Sequence, residues 1–264
     1  MDELPRDIHS VRQILEQYSN IDPTEIDTHL LDIRTQGWKI SRHPFIGRWK
    51  FLRLTHPSNP CFQHVLFRLR LPKSKDVFLD LGCGVGQAIR QLHQQGVEGS
   101  KLMGTDLEPR FIDLGYDMFR DKEKLGARFI EGDMLDPDDH KLNELYGKVT
   151  IIHADSFLHL FNRMQQGYVV KRLIKFLKPE TKNALIYGRQ AGYESGHVDN
   201  NSNDLPYIHT RETFQALWDE AGAETGTRWK VDAETRPTTE VMPGGRKDIV
   251  MLEFIVHQIP LSNI

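Results

Sequence analysis

Cysteine is nearly absent: the 264 residues contain two, Cys61 and Cys83, in neither a CxxC nor a His-flanked pair. That excludes a disulfide framework and gives no zinc-binding pattern, so no metal is expected. No apolar run approaches the roughly 18 residues of a membrane-spanning helix. The first ten residues, "MDELPRDIHS", are acidic and polar where a signal peptide is basic and then apolar, which predicts a cytoplasmic protein without membrane insertion. An excess of positive charge is also missing. The formal net charge is −3 with both signs interspersed, so no basic stripe is available for nucleic acid. Repeats and low-complexity segments are absent too. What remains is a chain with 39% hydrophobic and 27% charged residues, a globular composition with a well-hydrated surface.

The N-terminal third reads as helical. In "SVRQILEQYSN", Val11, Ile14, Leu15 and Tyr18 fall on one helix face, with Ser10 and Gln13 spaced as a capping box. In "DPTEIDTHLLDI", Asp22 is placed as N-cap and Pro23 at the first helical position, ahead of Ile26, Leu30 and Ile33. The stretch from Gly37 to Pro60 is too irregular for one element, although it holds Trp38, Phe45, Trp49 and Phe51. A short helix with Phe62, Val65, Leu66 and Leu69 precedes Pro72. These residues, 1–71, are expected to form a cap on a catalytic domain at 72–264.

From Val77 the texture changes to short apolar runs: "VFLDL", "KLMGTD", "ARFIEGD", "VTIIHAD", "ALIYGR", "TRWKVD" and "DIVMLEFIVHQ". Amphipathic stretches separate most of them, including one behind Thr210 that reads as ending before Gly222. This alternation predicts an α/β protein with a doubly wound, mainly parallel sheet. The last two runs have no helical pattern between them and are expected to pair antiparallel. The polar stretch 195–209 has turn chemistry without periodicity and reads as a lid or a surface loop.

"VFLDLGCGVGQ" places Gly82, Gly84 and Gly86 directly after an apolar run. Glycines in a strand-to-helix turn let backbone N–H groups approach a ligand. A dinucleotide loop needs G-x-G-x-x-G, whereas here the third glycine comes one residue early. Asp80, before the loop, would repel a pyrophosphate and suits a cationic ligand. S-Adenosylmethionine has that character. Asp106 at the next strand end is placed to accept the ribose hydroxyls. Asp133, at the third, can accept the adenine amino group, while Met134 covers the ring. Gln87, Leu107, Gly132 and His153 border the same strand ends. Any one of these acids alone could equally serve a turn or a helix cap.

Together, "FLDLGCGVGQ", "GTDLEPRFIDLGYDMFRD", "RFIEGDMLDP", "IIHADSFLHLF", "GRQAG" and "TGTRWKV" resemble the class I methyltransferases of fungal secondary metabolism. The closest likeness is to the group that methylates the carboxyl of farnesylated aryl polyketide acids in meroterpenoid pathways. It covers most of the chain, including "HPFIGRWKFL" in the cap. The resemblance implies a Rossmann-like class I fold, S-adenosyl-L-methionine as cofactor, a methyl ester product and a homodimer. Asp155 departs from it, standing where the family often has a serine.

The acceptor side is less determined. His159 is the candidate base for a phenol, a hydrogen-bond donor to a carboxylate, or a histidine satisfied by a backbone carbonyl. Arg189 is placed to grip a carboxylate or to stay solvated at a strand end. Phe157, Gln190, His209, Trp38 and Trp49 are candidates to line an apolar acceptor pocket, the tryptophans reading equally as core. Three functions stay open: carboxyl O-methylation, O-methylation of a phenol or other hydroxyl with His159 as base, and a cyclisation or isomerisation that keeps the cofactor without transferring methyl.

Overall fold

The computed structural model describes residues 3–195, 205–238 and 248–260. The chain divides into two compact units, the first ending at Gly132 and the second beginning at Asp133.

The first unit opens with α1 (His9–Gln17), α2 (Ile26–Ile40), α3 (Pro44–Gly47) and α4 (Pro60–Arg70). It continues as β1 (Phe78–Leu81), α5 (Gln87–Gln94), β2 (Leu102–Asp106), α6 (Pro109–Phe119) and β3 (Arg128–Glu131). Its three strands are parallel, in the order β3-β2-β1, so their C-terminal ends share one edge. The apolar faces read from the sequence are buried: Val11, Ile14 and Leu15 of α1 and Ile26, Leu30 and Ile33 of α2. They form one cluster with Ile46, Trp49, Phe51, Val85, Phe111 and Leu114. The helical N-terminal segment and the loop after β1 therefore share a core.

Local details differ from expectation. No side chain caps α1, whose N-cap is Ile8. Asp22 does not cap a helix at Pro23; its carboxylate accepts the Thr24 N–H at 2.8 Å, a turn that holds residues 23–25 out of the helix. Helix α2 then runs on through Gly37 and Trp38. A Cβ at Gly37 would stand 2.8 Å from the tip of the Ile46 side chain of α3.

The second unit contains β4 (Ile151–His153), α7 (Arg163–Phe176), β5 (Leu185–Tyr193), α8 (Arg211–Thr225), β6 (Trp229–Arg236) and β7 (Ile249–Gln258). Strand β4 is parallel to β5, and β7 lies antiparallel between β5 and β6, which is the expected antiparallel C-terminal hairpin. Helix α7 starts at an Asn162–Gln165 capping box and α8 at a Thr210–Thr213 box. Helix α8 does not stop before Gly222, which is buried within it; Gly226, at φ 67°, supplies the left-handed C-cap. Residues 196–204 of the stretch read as a lid lie outside the described residues. Among the described residues, no helix is long and apolar enough to cross a membrane.

Phe214 of α8 anchors this unit, its ring 4.9 Å from Phe254, 5.4 Å from His209 and 6.5 Å from Trp218. Phe214→Ala should lower unfolding stability by about 3–5 kcal/mol in a urea titration, because a buried aromatic leaves a cavity that its neighbours only partly fill. A loss under about 1 kcal/mol would contradict that anchoring role.

Candidate active site

The loop after β1 is held by its own backbone. Gly82, Gly84 and Gly86 have φ of 64°, 54° and 66°, the left-handed region that a side chain disfavours. The Cys83 N–H donates to Thr105 O at 3.0 Å and the Gly86 N–H to Cys83 O at 2.8 Å. Space around the loop is also taken. A Cβ on Gly84 would stand 2.5 Å from the Phe45 ring, and one on Gly86 would stand 2.4 Å from an Arg90 nitrogen.

Asp106 is tied to this loop. Its Oδ2 accepts the Gly84 N–H at 2.7 Å and its Oδ1 accepts the Glu108 N–H at 3.0 Å, which fixes the carboxylate plane while leaving each oxygen a further lone pair. Burial pushes its carboxyl above the ordinary range; the two N–H bonds pull it back and the nearby Asp80 charge adds to the rise. Asp80 is buried in β1. Gln87 opens α5, and its Oε1 is buried with no hydrogen-bond partner among the described residues. A bare left-handed loop, two acids and an orphaned acceptor form a set suited to a ligand carrying positive charge and hydroxyl donors. Leu107 is 65% exposed beside Asp106, and the Gly132 N–H donates to Asp106 O at 3.0 Å.

In the second unit, Asp133 Oδ1 accepts the Leu135 N–H at 2.8 Å, and the Asp133 N–H donates to Asp139 Oδ2 at 2.8 Å. Met134 is buried. This turn is clamped by Arg172 of α7, which is 3% exposed and donates to the carbonyls of Asp133 at 3.0 Å, Asp136 at 2.6 Å and Asp139 at 3.1 Å. Arg172 was not foreseen: in sequence it is one more basic residue on an amphipathic helix.

The end of β4 and the middle of β5 bring His153, Asp155, His159 and Arg189 together, with Phe157 in the loop that follows β4; Arg189 and Gln190 lie within β5, not after it as expected. The His153 ring lies 4.9 Å from Tyr187, and the Phe157 ring 5.1 Å from Phe161. The Ala154 and Ser156 N–H groups donate to Tyr187 O at 2.8 Å and Arg189 O at 2.7 Å. Arg189 does not stand open to a ligand carboxylate as expected. Its Nε donates to Asp155 Oδ1 at 3.1 Å and a terminal nitrogen to Oδ2 at 3.2 Å. Burial alone would raise the Asp155 carboxyl, but Arg189 foremost, then His153, hold it below the ordinary range. His159 Nδ1 accepts the Ala191 N–H at 3.2 Å. A neutral ring therefore carries its proton on Nε2 and is a donor there. The Gln190 amide is 1% exposed, and neither its nitrogen nor its oxygen has a partner among the described residues.

Comparison with known proteins decides the family. A family model described as the N-terminal domain of meroterpenoid methyltransferases matches residues 2–52, and a methyltransferase-domain model matches residues 78–180. The O-methyltransferase phiE of a fungal species is 35% identical over 243 residues, covering 90% of this chain and 80% of its own. The chain belongs to the fungal meroterpenoid methyltransferases. It is also similar to the methyltransferase adrK of Penicillium roqueforti, 35% identical over 232 residues, covering 87% of this chain and 82% of that one. The Asnovolin E/Chermesin D methyltransferase nvfJ of Aspergillus novofumigatus is 31% identical over 232 residues, covering 87% and 82%. Among solved structures, a SAM-dependent methyltransferase of Methanosarcina mazei matches with a TM-score of 0.52 at 16% identity, over 77% of this chain and 99% of that one. The 4+2 cyclase SpnF matches at 0.53 and 14%, over 76% and 81%. These likenesses establish the Rossmann-like class I fold.

The methyltransferase uses S-adenosylmethionine, and the first unit's loop and acids fit it. Two acceptor-side expectations need correction. Trp49 is 3% exposed and packs against Phe51 in the core of the first unit, with Arg34 over its ring, which is the core alternative and not a pocket wall. Trp38, by contrast, is 41% exposed on α2. His209 is wholly buried: Nε2 meets Gln166 Oε1 at 2.8 Å and Nδ1 meets Thr213 Oγ1 at 3.0 Å. It pins the entry to α8 rather than an acceptor. Among the described residues no cluster of His, Cys, Asp and Glu could hold a metal ion.

Burial, with Arg163 adding to it, lowers the His209 pKa from 6.5 to about 3, so the folded protein holds this ring neutral. Its stabilising contribution is complete above the unfolded value of 6.5 and declines as pH falls from there toward about 3. Stability of the methyltransferase should accordingly fall more steeply between about pH 6.5 and 5 than that of His209→Gln. Parallel pH–stability curves from urea titrations would contradict the assignment.

Proposed function

We propose that this methyltransferase esterifies the carboxyl group of an apolar, prenylated polyketide acid in a meroterpenoid pathway. The observation that carries the reading is the orientation of His159. Its Nδ1 is engaged by the Ala191 N–H, so a neutral ring carries its proton on Nε2 and cannot take one there. A carboxylic acid is already ionised near pH 7 and needs no base, whereas a phenol with a pKa of about 10 must first lose its proton at a cost of roughly 4 kcal/mol. Asp155 is a poor substitute base, because Arg189 stabilises its charged form.

The cofactor supplies an electrophilic methyl group on a sulfonium, and transfer to a carboxylate oxygen leaves the carbon–sulfur electron pair on sulfur and releases no proton. Positive and negative charge cancel along the way, so groups that grip the acceptor's ground-state charge strongly would slow the step. The Asp155–Arg189 pair supports such an economy, because the arginine's charge is already balanced. In this reading Asp80, Gln87 and the glycine loop hold the methionine end, Asp106 orients the ribose hydroxyls, and Asp133 with Met134 serves the adenine. Phe157, Gln190 and the exposed Trp38 are the acceptor-side candidates; the Gln190 amide supports this because a buried amide without partners carries a desolvation cost that a ligand can relieve.

Purified protein is given methyl-labelled S-adenosylmethionine and a farnesylated aryl acid bearing both carboxyl and phenol groups, and the product is treated with mild alkali. Release of the label as methanol is expected for a methyl ester; label that resists alkali, as an aryl ether or C-methyl does, would contradict the reading. His159→Ala should keep carboxyl methylation within about tenfold, since removing a true general base costs about a hundredfold or more.

A further inference from the structure

A buried ion pair lies under the glycine loop. The side chains of Arg90 and Asp121 are both 0% exposed. Arg90 Nε donates to Asp121 Oδ2 at 2.9 Å and a terminal nitrogen to Oδ1 at 3.0 Å, a bidentate arrangement. Its other terminal nitrogen turns to the loop, donating to Val85 O at 2.9 Å and reaching Gly86 O at 3.5 Å. The rings of Tyr116, Phe119 and Phe129 surround the guanidinium at 5.1, 5.1 and 5.2 Å. Removing a charge pair from water is expensive, and an apolar side chain of similar volume would serve packing as well or better. The polar contacts of Arg90 lead instead to the loop's backbone carbonyls.

The same acid reaches the N-terminal segment. Tyr18, the C-cap residue of α1, donates its hydroxyl to Asp121 Oδ2 at 2.8 Å. Burial first, then Asp121, hold the phenol protonated well above its ordinary range, so it stays a donor. Lys124 donates to the Tyr18 carbonyl and lies 4.2 Å from the ring centroid, which fixes the side chain. An unbroken hydrogen-bonded chain thus runs from α1 through Tyr18, Asp121 and Arg90 to Val85 and Gly86.

We propose that Tyr18, Asp121 and Arg90 are positioning residues that set the glycine loop for the cofactor, so that S-adenosylmethionine affinity depends on how the N-terminal helices are seated. The proposal rests on the assignment of that loop to the cofactor. None of the three touches a reacting atom; their effect passes through the carbonyls of Val85 and Gly86, which orient the peptide planes of the loop. A neighbouring contact reinforces the coupling, since the Phe45 ring of the same N-terminal segment fills the space beside Gly84.

The test is calorimetric titration of the full chain with S-adenosylhomocysteine, alongside hydrogen exchange of the ligand-free protein. Tyr18→Phe keeps the ring and its 5.6 Å edge contact with His93 and removes only the hydroxyl. It should weaken S-adenosylhomocysteine binding by about threefold or more, because a hydrogen bond to a charged group is lost. Exchange at the amides of residues 83–87 should quicken, with the melting temperature of the free protein lowered by about 3–8 °C. Arg90→Lys, which keeps the charge but not the fork, should weaken binding further. If Arg90→Lys does not fold, Tyr18→Phe decides alone. Asp106→Ala separates the two assignments: wild-type binding there would overturn the placement of the cofactor itself. Weakened binding in Asp106→Ala with wild-type binding in Tyr18→Phe would overturn the positioning role. So would an affinity loss matched by a drop in melting temperature with no change in loop exchange.

Discussion

The hydrogen bond from the Gly84 N–H to Asp106 Oδ2 is the contact on which the rest of the cofactor side depends. It joins a loop whose left-handed backbone favours glycine to the acid at the end of the neighbouring strand. Neither partner holds its place alone. The loop needs three left-handed residues, and the acid needs two backbone donors to offset its burial. Parallel pairing of β1 with β2, Leu81 opposite Thr105, brings the two within reach. Packing from Phe45 on one side and Arg90 on the other then leaves the loop little freedom to relax, a pre-organised backbone where a flexible ligand must be oriented.

Much of this was legible in the chain. All seven strands among the described residues overlap the apolar runs recognised in the sequence, because short runs bounded by turn residues have few other solutions. The antiparallel hairpin followed from the missing helix between the last two runs. Side-chain partnerships were not legible. Arg90 and Arg172 sit on amphipathic helices, where an arginine ordinarily reads as solvated; their carbonyl and carboxylate partners lie up to 39 residues away in sequence. Arg189 and Gln190 lie within β5, which runs on to Tyr193 instead of ending before them, and the pairing of Arg189 with Asp155 depends on β4 and β5 lying side by side. His209 illustrates the converse: a polar residue ending a polar stretch is drawn inside because Gln166 and Thr213 satisfy both ring nitrogens. Helix ends were missed where local side-chain chemistry prevailed over spacing, as in the Asp22–Thr24 turn.

The residues proposed for the acceptor side combine restraint in charge with apolar neighbours. Asp155 and Arg189 balance each other, His159 is oriented as a donor, and Ile152, Ala154 and Leu158 are buried nearby in sequence. Such an arrangement suits an acceptor that arrives already ionised and loses its charge in the reaction. The Asp155 carboxylate neutralises Arg189, which a hydroxyl at that position would not do.

The most direct measurement is the affinity of the Asp106→Ala variant for S-adenosylmethionine, by calorimetric titration of a protein shown to be folded. The account predicts binding weaker by more than about tenfold, since both the ribose acceptor and the anchor of Gly84 are removed. Affinity equal to wild type would contradict it, and the cofactor would have to be held elsewhere than on this loop.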